Sequence, residues 1–281
     1  MRFISRRHTI HAFLTAVLLT FATVVNGPAP VFAAGDNGVV RIAIDATYKP
    51  FMWTTPEGEY VGFEIEMAKA FCATFEEDCT FQHHAFDSII PALNAEKFDA
   101  IIASMYITEP REKQVDFTKP YYFVPGRYVA PKSADIEISK AGLTGKIIGV
   151  QSGTLEENHV TDTFADVATI RRYDNQEQVF LDAASGRIDV MLASQVVLQR
   201  AFLESEKGRR WEFVGPKVDD PKVYGTGAAV AVREGDEVLR KKFNEAIDTV
   251  LANGTYRKIQ NEWFDFNIYG EPYGTQKAEA E

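Results

Sequence analysis

The sequence predicts an α/β protein built as two lobes, and three observations lead there. Residues 96–104 read EKFDAIIAS and residues 186–194 read GRIDVMLAS. One pattern is written twice: a basic residue, an apolar one, Asp, three apolar residues, then Ala-Ser. Helical stripes alternate with short, near-continuous apolar runs, as expected of a mostly parallel sheet covered on both faces. The alternation then restarts near Lys146, and the closing stretch, 226–264, is too short for a third domain. The two copies of the pattern are therefore equivalent strands of two lobes, each opened by Asp and closed by Ser.

In order along the chain, VVRIAID (39–45) is β-branched and reads as a buried strand. GFEIEMAKAFCATF (62–75) carries an apolar stripe of Phe63, Ile65, Met67, Ala68, Phe71, Cys72 and Phe75, leaving Glu64, Glu66 and Lys69 toward water. TFQHH is a strand, FDSIIPALNA opens a helix with Asp87 or Ser88 as a cap, and FDAIIAS is a third strand. In the second lobe KIIGVQSGT runs from strand through a Gly turn into a helix. It is followed by strand ATIRRY, helix NQEQVFLDAAS, strand RIDVMLAS, a helix over 196–205 and a short strand at 211–214. The final strand and two helices, divided at Gly254, are expected to return to the first lobe. That return makes two crossings, near 123–127 and 219–226, and a double crossing is a hinge. The expected partition is 34–123 with 224–281 for lobe 1, and 124–223 for lobe 2.

Residues 1–33 read as a cleavable export signal. Arg2, Arg6 and Arg7 precede an apolar stretch, and Val31 and Ala33 suit the cleavage site. Removing them takes three Arg from a net charge of −10 and leaves 248 residues at −13. So acidic a chain, without a basic patch, repels nucleic acid and anionic lipid. Insertion of the mature chain in a membrane is not expected. Cys72 and Cys79, the only cysteines, read as a disulfide in an exported protein, worth roughly 2.5 kcal/mol by loop entropy. A metal pair is the alternative, but the neighbouring His83 and His84 point to opposite faces of a strand. No cofactor is expected: phosphate loop, HExxH pair and Gly-x-Ser-x-Gly elbow are all lacking.

Ligands of open α/β sheets sit beyond the carboxyl ends of the strands. That rule selects Asp45 with Tyr48, Phe86, Ser104 with Tyr106, Gln151 through Thr154, and Ser194. Arg111 follows Ser104 by seven residues, and its guanidinium could take a carboxylate in two parallel bonds with the Ser104 hydroxyl adding a third, or pair at the surface with Glu109 or Glu112. Thr154 could serve the same carboxylate or simply cap its helix. Asp45 could hold a turn or await a ligand cation, and Tyr48 and Phe86 could stack on a ligand stem or belong to the core. Asp99 and Asp189 begin their strands, away from the expected cleft, and are assigned to turns or to pairs with Lys97 and Arg187.

The stretches DATYKPF, GFEIEMAKAFC, FDSIIPAL, FDAIIASMYITEPR, VDFTKPYY, GKIIGVQSGT, GRIDVML and WFDFNIYG together resemble the periplasmic binding proteins that feed polar amino acids to ABC importers. The similarity is to the lysine/arginine/ornithine- and histidine-binding group and covers the mature chain. It implies the two-lobed periplasmic binding protein fold with a ligand cleft, a Cys72–Cys79 disulfide, a monomer, and a permease with its ATPase as partners. It also implies roles: Arg111, Ser104 and the Thr154 region for an α-carboxylate, Tyr48 and Phe86 for the side chain, Asp45 for a distal cation. Three positions depart from the group. Ser194 stands where an Asp usually accepts the α-ammonium, and Tyr106 and Ala103 replace Ser. The expected ligand is a basic amino acid or a derivative such as an opine. Glu156 is a candidate to restore the missing charge, and a cyclohexadienyl dehydratase-like enzyme on this fold is the alternative.

Overall fold

The computed structural model describes residues 38–75 and 77–269. The expected export signal lies outside the described residues. Two five-stranded sheets organise the chain. The first has the order Asp78–His83, Val39–Ile44, Ala100–Ile101, Ala231–Arg233, Val115–Phe117, and the second Thr169–Tyr173, Ile147–Gln151, Val190–Ser194, Gly126–Pro131, Trp211–Val218. The strand of the written repeat, Ala100–Ile101 or Val190–Ser194, is the central one in both, so the repeat is a structural one. In each sheet the first three strands are parallel and the last two pair antiparallel. Four of the five strands in each sheet therefore run one way, as expected of mostly parallel sheets; the reversed strand, Ala231–Arg233 in the first and Gly126–Pro131 in the second, is the one that arrives from the opposite lobe rather than over a covering helix.

Each Asp of the repeat fastens the start of its sheet. Asp99 Oδ2 accepts from the Arg41 amide at 3.0 Å, and Asp189 Oδ2 accepts from the Ile147 amide at 2.8 Å. The side-chain partner of Asp99 is Arg41 at 2.8 Å, not Lys97, and Arg187 pairs with Asp182. Both carboxylates thus supply an acceptor to a backbone amide of the neighbouring strand, at the third residue of Val39–Ile44 and the first of Ile147–Gln151.

The helix Phe63–Thr74 buries the expected stripe against the first sheet, and the Cys72–Cys79 disulfide, with Cα atoms 6.2 Å apart, ties its last turn to the edge strand. The returning strand Ala231–Arg233 and the helices Glu237–Ala252 and Thr255–Trp263 complete this half, where Phe71 meets Phe243 edge-on at 6.3 Å and Phe63 meets Tyr256 at 6.1 Å. Gly254 takes the left-handed conformation between those helices. In the second half, the expected helix over 196–205 is a short α-turn, Gln195–Val197, continued by a π-helix, Leu198–Leu203. Phe202 from that wider turn stacks on Phe180 at 5.0 Å. The strand starting at Trp211 runs to Val218 around a bulge, longer than expected.

A small sheet of Thr47–Tyr48, Met52–Thr54 and Tyr60–Val61 carries no signal strong enough to expect it. Gly62 ends it at φ 129°, where a Cβ would lie 2.4 Å from the Phe51 carbonyl oxygen; only glycine lets the two backbones meet so closely. This hairpin arrangement carries Tyr48 over the end of the first sheet.

Candidate functional site

The carboxyl ends of the two sheets face one cavity. It is lined by all nine residues expected there: Asp45, Tyr48, Phe86, Ser104, Tyr106, Arg111, Gln151, Thr154 and Ser194. Bonds cross it from one sheet's side to the other. Gln151 Nε2 donates to Asp45 Oδ2 at 2.6 Å, Arg111 Nη2 to the Gly153 carbonyl at 3.2 Å, and the Ser194 amide to the Tyr48 hydroxyl at 3.4 Å. Gly153, at φ 77°, lies so close to Asp87 that an added Cβ would sit 2.7 Å from its Cα. The halves are closed on one another.

Asp45 is 3% exposed at the end of its strand and also accepts from Thr47 Oγ1 at 2.8 Å. His83 Nδ1 is 4.0 Å away, but that nitrogen accepts the Ala46 amide, so it brings no proton toward the carboxylate. Burial raises the Asp45 pKa above its ordinary value, and the Gln151 and Thr47 bonds offset part of the rise. A buried carboxylate with only neutral donors is a waiting place for a cation.

Arg111 comes from the short helix Glu109–Glu112 and is 8% exposed, which settles it as a buried residue rather than a surface partner of Glu109. Nη1 donates to the Tyr106 carbonyl at 2.9 Å, and the guanidinium lies 5.3 Å from the centre of the Phe86 ring. Burial lowers its pKa to about 10, with nearby Glu156 acting the other way. It stays cationic at neutral pH and is the one cationic side chain among the described residues of the lining.

Thr154 caps the helix Leu155–Phe164: its Oγ1 accepts from the Glu157 amide at 3.1 Å and donates to the Gln151 carbonyl at 2.8 Å. It therefore performs the helix-capping role while also facing the cavity. The Tyr106 hydroxyl donates to the Val124 carbonyl at 2.8 Å and accepts the Val124 amide at 2.7 Å, which fixes the first crossing.

The Ser104 expectation changes in one respect. Its hydroxyl donates to Glu64 Oε2 at 2.7 Å and its amide to the same oxygen at 2.9 Å, so neither donor is turned to a ligand carboxylate. Glu64 itself, expected in water, is fully buried. It sits in the first turn of its helix, bonded also by the Tyr121 hydroxyl, with its pKa pushed up to about 7 by burial. Helical periodicity placed it one step outside the apolar stripe; only the tertiary fold shows that Ser104, at φ 52°, presents two donors there. Ser194 differs again. Its side chain lies in the cavity wall and its Oγ, buried, has no hydrogen-bond partner among the described residues.

Glu156 and Tyr224 also line the cavity. Glu156 is 8% exposed, and the Tyr224 hydroxyl donates to its Oε1 at 2.9 Å. Tyr224 belongs to the short helix Pro221–Tyr224 on the second crossing. Nothing in its own sequence neighbourhood marks it as a cavity residue.

Two α/β lobes closed over a polar, charged cavity at their strand ends define a solute-binding protein of the hinged kind. Residues 40–266 match the bacterial extracellular solute-binding proteins, family 3, and the chain belongs to that family. It is 40% identical over 242 residues to the L-arginine-binding protein of Pseudomonas aeruginosa, an alignment covering 86% of this chain and 93% of that one. Among solved structures, a Salmonella typhimurium periplasmic binding protein described for its high arginine specificity superposes with a TM-score of 0.75 at 31% identity, covering 80% of this chain and 99% of the other. An ancestral amino acid-binding protein, described as a precursor of cyclohexadienyl dehydratase, superposes with a TM-score of 0.71 at 30% identity, covering 81% and 96%.

Proposed function

We propose that this protein is exported to the periplasm, with residues 1–33 removed, captures a basic amino acid of the arginine class as a monomer, and delivers it to an ABC permease and its ATPase. Lobe 1 comprises 34–123 and 224–281 and lobe 2 comprises 124–223, closing about the two crossings. The observation that carries the reading is the charge set of the cavity: one guanidinium, Arg111, against two carboxylates, Asp45 and Glu156. A basic amino acid carries the complement, one carboxylate and two cations. Arg111 and the opening turn of the helix at Thr154 take the α-carboxylate. Tyr48 and Phe86 flank the aliphatic stem, and Asp45 with Gln151 takes the distal cation.

A thermal-shift panel on ligand-stripped protein tests this with arginine, lysine, ornithine, histidine, glutamine, octopine and nopaline. At a hundred times its dissociation constant, arginine adds about 2.7 kcal/mol, raising the midpoint by about 5–10 °C. No shift with any basic compound would sink the reading. Arg111→Ala removes the counter-charge of the carboxylate and is expected to weaken arginine by roughly a hundredfold or more, measured by calorimetry. The enzyme alternative rests on a buried acid, Glu156, whose pKa burial raises. Turnover of prephenate or arogenate by the purified protein would establish it.

A further inference from the structure

The repeat ends at Ser194 with a neutral hydroxyl in the cavity wall that has no hydrogen-bond partner among the described residues. The sheet register shows what stands beside it. Ser194 pairs with Gly126 across the antiparallel strands, so their side-chain positions share one face of the sheet at a separation of about 5 Å. Gly126 has no side chain, and the Tyr224 hydroxyl fills that place: a Cβ on Gly126 would fall 1.9 Å from it. That hydroxyl holds Glu156 Oε1 at 2.9 Å. Gly126, Tyr224 and Glu156 thus bring a carboxylate, supplied by a different element, to the face on which the unpartnered Ser194 Oγ lies.

Resting on the basic amino acid reading, we propose that Glu156 is the acceptor of the ligand's α-ammonium, that Tyr224 is its positioning residue, and that the pair selects amino acids whose α-nitrogen is unsubstituted. Charge pairing inside the cavity supports it. With Arg111 matched to the α-carboxylate and Asp45 to the distal cation, Glu156 is the carboxylate left for the remaining cation, and Ser194 Oγ adds a neutral acceptor beside it. A group on the α-nitrogen would run into Tyr224, and a carboxylate on that group, as in octopine, would face Glu156.

The test compares L-arginine with 5-guanidinopentanoate, which keeps the carboxylate and guanidinium but lacks the α-amine, by calorimetry on the full mature protein. Wild type is expected to favour arginine by roughly ten- to a hundredfold, the worth of one charged hydrogen bond. Glu156→Gln is expected to abolish most of that preference by weakening arginine alone, with 5-guanidinopentanoate held within about threefold. Tyr224→Phe is expected to reduce the preference by a smaller factor in the same direction. An equal loss of both ligands in Glu156→Gln, or no loss of arginine, overturns the assignment while leaving the ligand class intact. A wild-type preference for octopine over arginine also overturns it. If wild type binds no guanidino compound at all, the ligand class falls first and the assignment with it.

Discussion

The two copies of the pattern that closes on Ala-Ser occupy the same place in their sheets and are used for two purposes. Both begin with an Asp that fastens an amide of a neighbouring strand, at 3.0 Å for Asp99 and 2.8 Å for Asp189. They end differently. Ser104 gives its amide and hydroxyl to the buried Glu64, whereas the Ser194 hydroxyl keeps no protein partner among the described residues. The first copy spends its serine on holding the cavity floor in shape, and the second leaves its serine in the cavity wall. Duplicated local sequence thus gives a strand at the same place in each sheet, while the copies separate at their serines, where φ is 52° at Ser104 and −50° at Ser194.

The largest break in the comparison is at the strand starts. Asp99 is 2% exposed and also pairs with Arg41 at 2.8 Å and Arg233 at 3.5 Å, while Asp189 is half-buried and holds the one amide described above. Asp99→Ala takes the acceptor from the Arg41 amide and guanidinium, while Arg233 keeps the Phe98 carbonyl; with Arg41 half exposed, the expected cost is about 3 kcal/mol. Asp189→Ala is expected to cost about 1–2 kcal/mol. Urea denaturation of the two variants measures the difference; equal losses would mean that the two carboxylates do no more than cap a strand.

Next in size is Glu64. Its folded pKa of about 7 lies above the ordinary 4.5, so the folded state binds this proton more tightly than the unfolded state does. Its contribution is therefore fully present below pH 4.5 and is lost as pH rises through 7, at a cost on the order of 3 kcal/mol. Glu64→Gln keeps an acceptor for Ser104 and carries no charge. Stability measured between pH 5 and pH 8 is expected to fall with pH more steeply in wild type than in the variant. The same experiment on Ser194→Ala should leave the wild-type slope unchanged, since no carboxylate leans on that hydroxyl. Parallel slopes in wild type and Glu64→Gln would show that Glu64 is ionised throughout.

How much of this could be read beforehand follows from range. The strand ends, Arg111 and the cysteine pair are legible because each depends on a short stretch: an apolar run, a turn, a spacing of seven. All nine expected residues reach the cavity for that reason. Glu64, Glu156 and Tyr224 behave differently, because their burial is decided by partners 40, 68 and 68 positions away in sequence. Helical periodicity counts Glu64 as solvated, since it cannot know that Ser104 turns two donors toward it. The small sheet around Tyr48 escapes for another reason: strands of two and three residues carry too little pattern to separate from a loop. The single reversed strand in each sheet escapes because its direction depends on the lobe it arrives from.

The smallest predicted effect lies in the turn that precedes each strand. Gly186 opens the second copy at φ 67° and Glu96 opens the first at φ 58°, both in the left-handed region. A side chain there brings Cβ against the following carbonyl, at a cost of roughly 1–2 kcal/mol for an L-residue, which glycine escapes. Space is not the constraint at Gly186, where nothing lies within 4 Å of an added Cβ. Gly186→Ala therefore isolates backbone strain and is expected to destabilise by about 1 kcal/mol, while Glu96→Gly is expected to stabilise by a similar or smaller amount, because glycine also gains freedom in the unfolded chain. Opposite signs of roughly equal size, read as shifts of about 2–4 °C in the thermal midpoint, would show that the two turns are one device written with different residues. Matching signs would mean that Glu96 is held by contacts its counterpart lacks, and the equivalence of the two copies would then begin only at the Asp.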